Sequence, residues 1–216
     1  MGKSPSLAPQ QQRTLARLKP LLDEHGLYLA GGGGVAHHIG HRQSLDIDLF
    51  SLQPDIDLAR FRDEAIVSLE DAKTLGLTDA TLRLEISGAP VDVVKYMYAP
   101  LDPPELGPEG VLVAGERDLA TMKLAAVSQR GIRRDFWDLY ELLHHGISLG
   151  EALDFYATRF GASHSDLYHV LRALTYFDDA EWDQVMPMGM TNADWRKIRG
   201  YFEQAAPSEL KARLDR

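Results

Sequence analysis

The sequence predicts an α+β fold in two parts. Three observations carry this. Strand and helix patterns mix before residue 100, prolines and glycines crowd the stretch 99–108, and nearly everything after residue 115 has helical spacing. The expected organisation is an α/β core over 1–100, a linker or long loop over 101–115, and a helical domain over 116–216.

The elements follow in chain order. Gln11 to Leu18 and Pro20 to His25 read as helix, with Gly26 as a stop. Leu27 to Ala30 is a short apolar run that reads as a buried strand entering a tight loop at Gly31 to Gly34. Val35 to Ile39 forms one or two helical turns closed by Gly40. Leu45 to Phe50 alternates apolar and acidic residues, the period of a strand, with Leu45, Ile47 and Leu49 on the core side. Leu58, Phe61, Ala65 and Leu69 fall at helical spacing. Leu82, Leu84 and Ile86 alternate again, Ser87 to Pro90 turns the chain, and Val91 to Tyr98 returns as the second arm of a hairpin. In the second part Asp118 is placed to cap a helix running to about Gln129. Gly131 interrupts, and a further helix spans about 133–145. Ser148 and Glu151 have capping-box spacing before another. Helices are expected at 165–175, 192–205 and 208–215.

Composition narrows the function. Lys and Arg number 23 against 32 Asp and Glu, a formal net charge of −9, with 44% hydrophobic and 25% charged residues. That is the balance of a folded globule and excludes global disorder. An acidic chain is not a general nucleic-acid coat protein, although it can hold nucleic acid at a local basic patch. No apolar run reaches the ~18 residues of a membrane span, and Met1 to Pro5 has no apolar stretch behind it that would make a signal peptide. Cysteine is absent, which excludes disulfides and thiol catalysis and is compatible with the cytoplasm, where the protein is expected.

The strongest chemistry is Asp46-x-Asp48. On a strand these two carboxylates project from one face. Like charges side by side repel unless a cation lies between them, and Mg²⁺ suits such oxygen ligands, with phosphate completing its shell. Alone, the pair also describes a solvated strand face. The glycine run upstream favours the metal reading, because glycine lets backbone N–H groups approach a phosphate. Neither a Walker A loop nor a GxGxxG helix is present. Asp92 opens the returning arm of the hairpin and joins the pair if that arm lies beside the Asp46 strand; otherwise it is an acid near a turn. Three carboxylates can hold metal for in-line nucleotidyl transfer. His37 and His41 have the spacing of a zinc pair, but no third ligand sits at a diagnostic distance.

The stretch Leu29 to Phe50, and above all Gly40-His41-Arg42-Gln43-Ser44-Leu45-Asp46-Ile47-Asp48-Leu49-Phe50, resembles the signature of AbiEii/AbiGii-type nucleotidyltransferases, within the DNA polymerase β-like superfamily. A second match runs from Lys123 to Tyr140, and the resemblance covers about residues 15–145. It implies a nucleotidyltransferase-like mixed sheet with flanking helices, followed by a helical domain. It implies NMP transfer from an NTP with Mg²⁺, for which Mn²⁺ can stand in. Many such proteins are toxins of type IV toxin–antitoxin systems, so a cognate antitoxin and an RNA acceptor, the tRNA 3′ end, are the expected partners, with no membrane involved. NMP transfer to a protein or small molecule stays open. One departure stands out: the family has Thr or Ser where this chain has Gly33. Losing that hydroxyl would cost about 1 kcal/mol or more, so a nucleotide- or partner-binding protein with weakened catalysis is the alternative.

On this reading Asp46, Asp48 and Asp92 bind metal and act catalytically, and Lys123 stabilises the departing pyrophosphate. Gly31, Gly32, Gly33, Arg42, Ser44, Arg130, Arg134 and Asp138 join Lys123 in holding the nucleotide. Lys123, Arg130 and Arg134 share one helix face if Gly131 does not break it. Arg134 and Asp138 are spaced as an i,i+4 pair, and Asp135 is placed to bind Arg130 or Arg42.

Overall fold

The computed structural model describes residues 7–182 and 186–215, so the Met1 to Pro5 stretch lies outside the described residues. The chain forms two compact units, residues 1–115 and 116–216.

The first unit is built on a mixed seven-stranded sheet. Its strands are β1 (Leu27–Leu29), β2 (Ile47–Ser51), β3 (Lys73–Leu77), β4 (Thr81–Ile86), β5 (Ala89–Val94), β6 (Glu105–Leu106) and β7 (Leu112–Val113), in the spatial order β3-β4-β5-β2-β1-β7-β6. Helices α1 (Pro9–His25), α2 (Gly31–Ile39) and α3 (Leu58–Ser68) flank it. Alternation decides which face is buried. Ile47, Leu49, Leu82, Leu84, Ile86, Val91 and Val93 point into a core filled by Leu15, Leu18 and Leu22 of α1 and Phe61 and Ala65 of α3. The hairpin between β4 and β5 turns through Ser87 and Gly88, both at positive φ, as a two-residue turn requires. Where α1 ends against α3, His25 and Glu64 meet at 2.5 Å, and Arg60 binds both Glu64 and Glu24.

Five expectations change here. The glycines 31–34 are not a loop: they form the first turn of α2. Glycine is a poor helix former, so tertiary contacts rather than propensity hold this turn. Leu45 is 56% exposed, because β2 begins only at Ile47. β3 escaped notice because its residues are almost all exposed and show no alternation. The stretch 101–115 holds two two-residue strands and a 3-10 turn at Pro108–Gly110; β7 joins β1 in parallel, and Pro103, Pro104 and Pro108 flank β6 without lying in a strand. Pro20 does not split α1, which runs on through it.

The second unit is helical: α4 (Glu116–Gln129), α5 (Arg133–His144), α6 (Leu149–Phe160), α7 (His164–Ala173), α8 (Asp178–Trp182) and α9 (Asn192–Leu214). α4 packs against α5, α6 and α7, while Phe136, Phe177, Trp195 and Phe202 form an aromatic cluster with ring centroids 5.2–5.9 Å apart. Ser148 and Glu151 make the expected capping box. α9 runs unbroken through Pro207, where two helices were expected. Asp118 is not a cap. α4 begins two residues earlier, which turns the Asp118 carboxylate inward to the buried Arg159 guanidinium at 2.9 Å. Arg159 also donates to the Asp118 carbonyl and to Thr121 Oγ1, each at 3.0 Å.

Replacing Arg159 with Met leaves Asp118 buried without its cation. Thermal or denaturant unfolding should show a loss of about 3–5 kcal/mol. An unchanged midpoint would mean that the pair does not anchor α6 to α4.

Candidate active site

The site is built where β1 leads into α2. The Ala30 N–H donates to the Asp48 carbonyl at 2.9 Å, which draws the end of β1 onto β2. Gly31 then adopts φ +55, and a Cβ there would fall 2.1 Å from Asp48 Oδ2. The Asp48 carboxylate thus lies directly on the Gly31 backbone, and no larger residue fits. A Cβ on Gly32 would sit 2.5 Å from Arg42 Nη2 and 3.5 Å from Ser44 Oγ. Gly33 differs: its Cβ would meet only Leu29 Cδ1 at 3.2 Å, Leu7 Cδ2 at 3.6 Å and the Asp46 carbonyl at 3.8 Å. Gly31 is therefore demanded by the close approach of Asp48 and by its positive φ, whereas at Gly32 the obstacle is the movable tip of Arg42 and at Gly33 it is neither acid nor arginine. Ala30 supplies no side-chain cap, and the first amides of any helix lack intrahelical acceptors and carry its positive end. Ser44 Oγ donates to the Asp46 carbonyl at 3.2 Å, which fixes the approach to β2.

The acids lie on the sheet face opposite the core. β2 and β5 are parallel neighbours in a register that sets Asp48 beside Asp92. β4 and β5 are antiparallel, and their register sets Arg83 beside Asp92, with Arg83 Nε 3.8 Å from Asp92 Oδ1. Asp46 stands one residue before β2 and is half-buried. Burial pushes the Asp92 carboxyl above the ordinary range; the Arg83 charge opposes this, and the Asp46 charge adds to it. Burial is the largest of these causes and the Asp46 charge the smallest, and a bound cation would favour the ionised form against both. An all-oxygen donor set, half-buried and beside the amino end of a helix, fits Mg²⁺. Among the described residues, the group of three whose ligand atoms all lie within 4.8 Å of one another is Glu24, His25 and Glu64, so Asp46, Asp48 and Asp92 are spread more widely than that.

The second motif forms a separate cluster within the helical unit. Gly131, at φ +45, ends α4, so Lys123 and Arg130 lie on α4 and its exit while the exposed Arg134 lies on α5. The three do not share one helix face. The buried Lys123 places Nζ 3.0 Å from Asp135 Oδ1 and 2.8 Å from Asp138 Oδ2. Arg130 Nε donates to Asp135 Oδ2 at 2.8 Å. Asp138 thus turns inward to Lys123. Burial alone would raise the Asp135 carboxyl, but the charges of Lys123 and Arg130 outweigh it and hold the group below the ordinary range.

Sequence reasoning passed over Arg83. It was legible: once Leu82, Leu84 and Ile86 face the core and the hairpin turns at Ser87–Gly88, Arg83 must share a face with Asp92.

Gly31→Ala tests the closest contact in the site. The left-handed backbone costs about 1–2 kcal/mol for an L residue, and the new methyl must displace Asp48. Lower stability together with lost NTP binding is the expected outcome. A variant that binds NTP as the parent does would show that Asp48 need not lie on Gly31.

Comparison with known proteins agrees with this architecture. The family model for the nucleotidyl transferase AbiEii toxin of type IV toxin–antitoxin systems matches residues 67–216, downstream of the glycine turn and of Asp46 and Asp48. An uncharacterized protein of Aquifex aeolicus (strain VF5) is 28% identical over 211 residues, covering 95% of this chain and 98% of that one. MenT4, a nucleotidyltransferase toxin from Mycobacterium tuberculosis, superposes with a TM-score of 0.56 at 16% identity, over 93% of this chain and 85% of its own. The antibiotic-resistance factor ANT(2'')-Ia gives 0.53 at 15% identity, over 74% of this chain and 95% of its own. The two solved structures share the fold. With more than half of its length matched, the chain belongs to the AbiEii nucleotidyltransferase toxin family and is a nucleotidyltransferase.

Proposed function

We propose that this nucleotidyltransferase moves an NMP from an NTP onto the 3′ end of an RNA, tRNA foremost, and that it acts as the cytoplasmic toxin of a type IV pair restrained by a cognate antitoxin. The observation that carries the site is the in-register pairing of Asp48 with Asp92 while the Asp48 carboxylate rests on Gly31. Asp46, Asp48 and Asp92 would hold Mg²⁺, or Mn²⁺ in its place. When bound, the metal neutralises phosphate oxygens and supports in-line displacement. Gly31, Gly32 and Gly33 offer backbone N–H groups to the phosphates, and Arg42 and Ser44 border the same turn. Asp92 accepts the proton of the acceptor hydroxyl as its oxygen bonds to the α-phosphorus and pyrophosphate leaves. The resemblance assigns Lys123, Arg130 and Arg134 to the triphosphate and the departing pyrophosphate, and Asp138 holds Lys123 within the helical unit. Among the described residues no helix is long and apolar enough to cross a membrane, in keeping with a cytoplasmic setting.

A second reading rests on Gly33: a nucleotide-binding protein with weakened transfer. Space for a Cβ exists there if the Leu29 methyl shifts by a few tenths of an ångström. That Cβ would face the core side chains Leu29 and Leu7, so Gly33→Ser should lower the thermal midpoint and leave NTP affinity as in the parent. Tighter NTP binding by the variant would instead make the lost hydroxyl the ground for a weaker enzyme.

Incubation with each α-labelled NTP, Mg²⁺ and total RNA should label RNA 3′ ends. Asp46→Ala should cut the yield on the order of 10²–10³-fold, since the metal is worth several kcal/mol of charge stabilisation. Label on protein or small molecules instead would overturn the RNA acceptor, and NTP binding without turnover would favour the second reading.

In the metal-free protein the Asp92 carboxyl, raised by burial, should titrate above an ordinary carboxylate, and Arg83→Gln, by removing the opposing charge, should move it higher still. A side-chain NMR titration that Arg83→Gln leaves in place would mean that Arg83 does not act on Asp92.

A further inference from the structure

We propose that the aromatic row Tyr28, Phe50, Tyr96 and Tyr98 is a stacking platform for an unpaired base of the acceptor strand, just upstream of the nucleotide that reacts. The proposal rests on the reading of nucleotidyl transfer to RNA and adds to it the place where that strand is held.

The row lies within the sheet unit, and strand register fixes its face. Tyr28 of β1 is paired with Phe50 of β2. Phe50 follows Asp48 by two residues, so both project from the face opposite Ile47 and Leu49. The Phe50 ring centroid lies 6.2 Å from that of Tyr28 and 5.1 Å from that of Tyr96, and Tyr96 lies 5.5 Å from Tyr98. Tyr96 and Tyr98 come after the end of β5, the strand that carries Asp92. The row thus starts on β1, crosses β2 next to the acids and ends past β5. Burial falls along it: Tyr28 is fully buried, Phe50 and Tyr96 are half-buried, and Tyr98 is 45% exposed.

Packing accounts for one end of the row. A cross-strand aromatic pair such as Tyr28 and Phe50 stabilises neighbouring strands. Tyr98 stands outside the strands and is exposed beside the exposed Met97, while its T-shaped contact with Tyr96 sets its angle. An exposed aromatic ring of fixed angle is the means by which proteins stack the bases of single strands.

The direction of the row selects the acceptor over the donor. The glycine turn offered to the triphosphate follows β1, on one side of β2, and Asp92, which takes the proton of the acceptor hydroxyl, lies on β5, on the other side. The exposed end of the row is on the Asp92 side. Arg83, exposed and 3.8 Å from Asp92, supplies a cation for a backbone phosphate of the same strand. The span selects the nucleotide. Phe50 lies about 7 Å along β2 from Asp48. Two further ring steps, of 5.1 and 5.5 Å, reach Tyr98. A single nucleotide does not reach so far from its 3′ hydroxyl to its base, so Tyr98 takes the base of a preceding one. A small-molecule acceptor would stop short of it.

The test measures binding of a short single-stranded RNA, labelled at its 5′ end, to the full chain by fluorescence anisotropy. An abasic ribonucleotide is placed in turn at each of the last three positions. In the parent it should weaken binding about tenfold at a position before the terminal one. Tyr98→Ala and Tyr98→Leu, each checked by its thermal midpoint, should weaken the intact RNA by a similar factor and add less than about twofold to the abasic RNA, because base and ring form one contact. Tyr98→Phe keeps the ring and should restore the preference for the base. NTP affinity, titrated separately, should not follow these changes. Effects of ring and base that multiply would overturn the proposal, as would Tyr98→Leu binding like the parent or an abasic penalty confined to the terminal nucleotide. A loss of NTP affinity in place of RNA affinity would assign the row to the donor base and overturn it as well. A parent that binds no RNA overturns it outright. A parent that binds RNA through Tyr98 yet transfers no NMP would uphold the platform and defeat the nucleotidyl-transfer reading.

Discussion

The structure of the first unit turns on one close approach. The Asp48 carboxylate lies on the Gly31 backbone, where a Cβ would be 2.1 Å from Oδ2. This contact lets the amino end of α2 and the acidic face of the sheet share one place. It also fixes what must surround it. Gly31 has to take positive φ, β1 and β2 have to be neighbours, and Asp48 has to face away from the core while Ile47 and Leu49 face into it. The poor helix propensity of four consecutive glycines is the cost of the arrangement, and packing of Val35 and Ala36 into the core helps offset it.

Charge is handled differently in the two units. On the sheet, Arg83 lies 3.8 Å from Asp92, and burial raises the Asp92 carboxyl against the Arg83 charge. A cation bound there would favour the ionised form. In the helical unit the charges are already paired. Lys123 sits between Asp135 and Asp138, Arg159 is buried with Asp118, and Asp135 is held below the ordinary carboxylate range by its cations. The sign of that last shift makes its contribution to stability full at neutral pH, and that contribution is lost as pH falls through the lowered value.

Much of this was legible in the sequence, for identifiable reasons. That Asp48 and Asp92 turn away from the core could be read because alternation along β2 and β5 is strict, whereas their pairing depends on β5 lying parallel to β2, and Asp46 falls one residue before the strand that was expected to carry it. The capping box at Ser148 and the break at Gly131 are local signals that tertiary structure did not override. Other features depended on contacts between distant residues. The glycine run read as a loop because propensity argues against helix, and only the packing of α2 on the sheet decides otherwise. Asp118 read as a cap because its partner, Arg159, lies 41 residues away. β3 carried no alternation to read, and Leu45 alternates in a strand that starts two residues later. Asp135 was seen as a partner for Arg130, but its shared hold on Lys123 needs the turn at Gly131 in three dimensions.

The central claim is that a divalent cation and a triphosphate meet at the acids of β2 and β5 beside the first turn of α2. Paramagnetic broadening by Mn²⁺ reads this directly. With NTP present, substoichiometric Mn²⁺ should broaden the backbone amide signals of Gly31 to Gly33 and of Asp48 and Asp92, and Asp48→Asn should abolish the effect. Broadening centred instead on Glu24, His25 and Glu64, with the glycine amides untouched, would contradict the account.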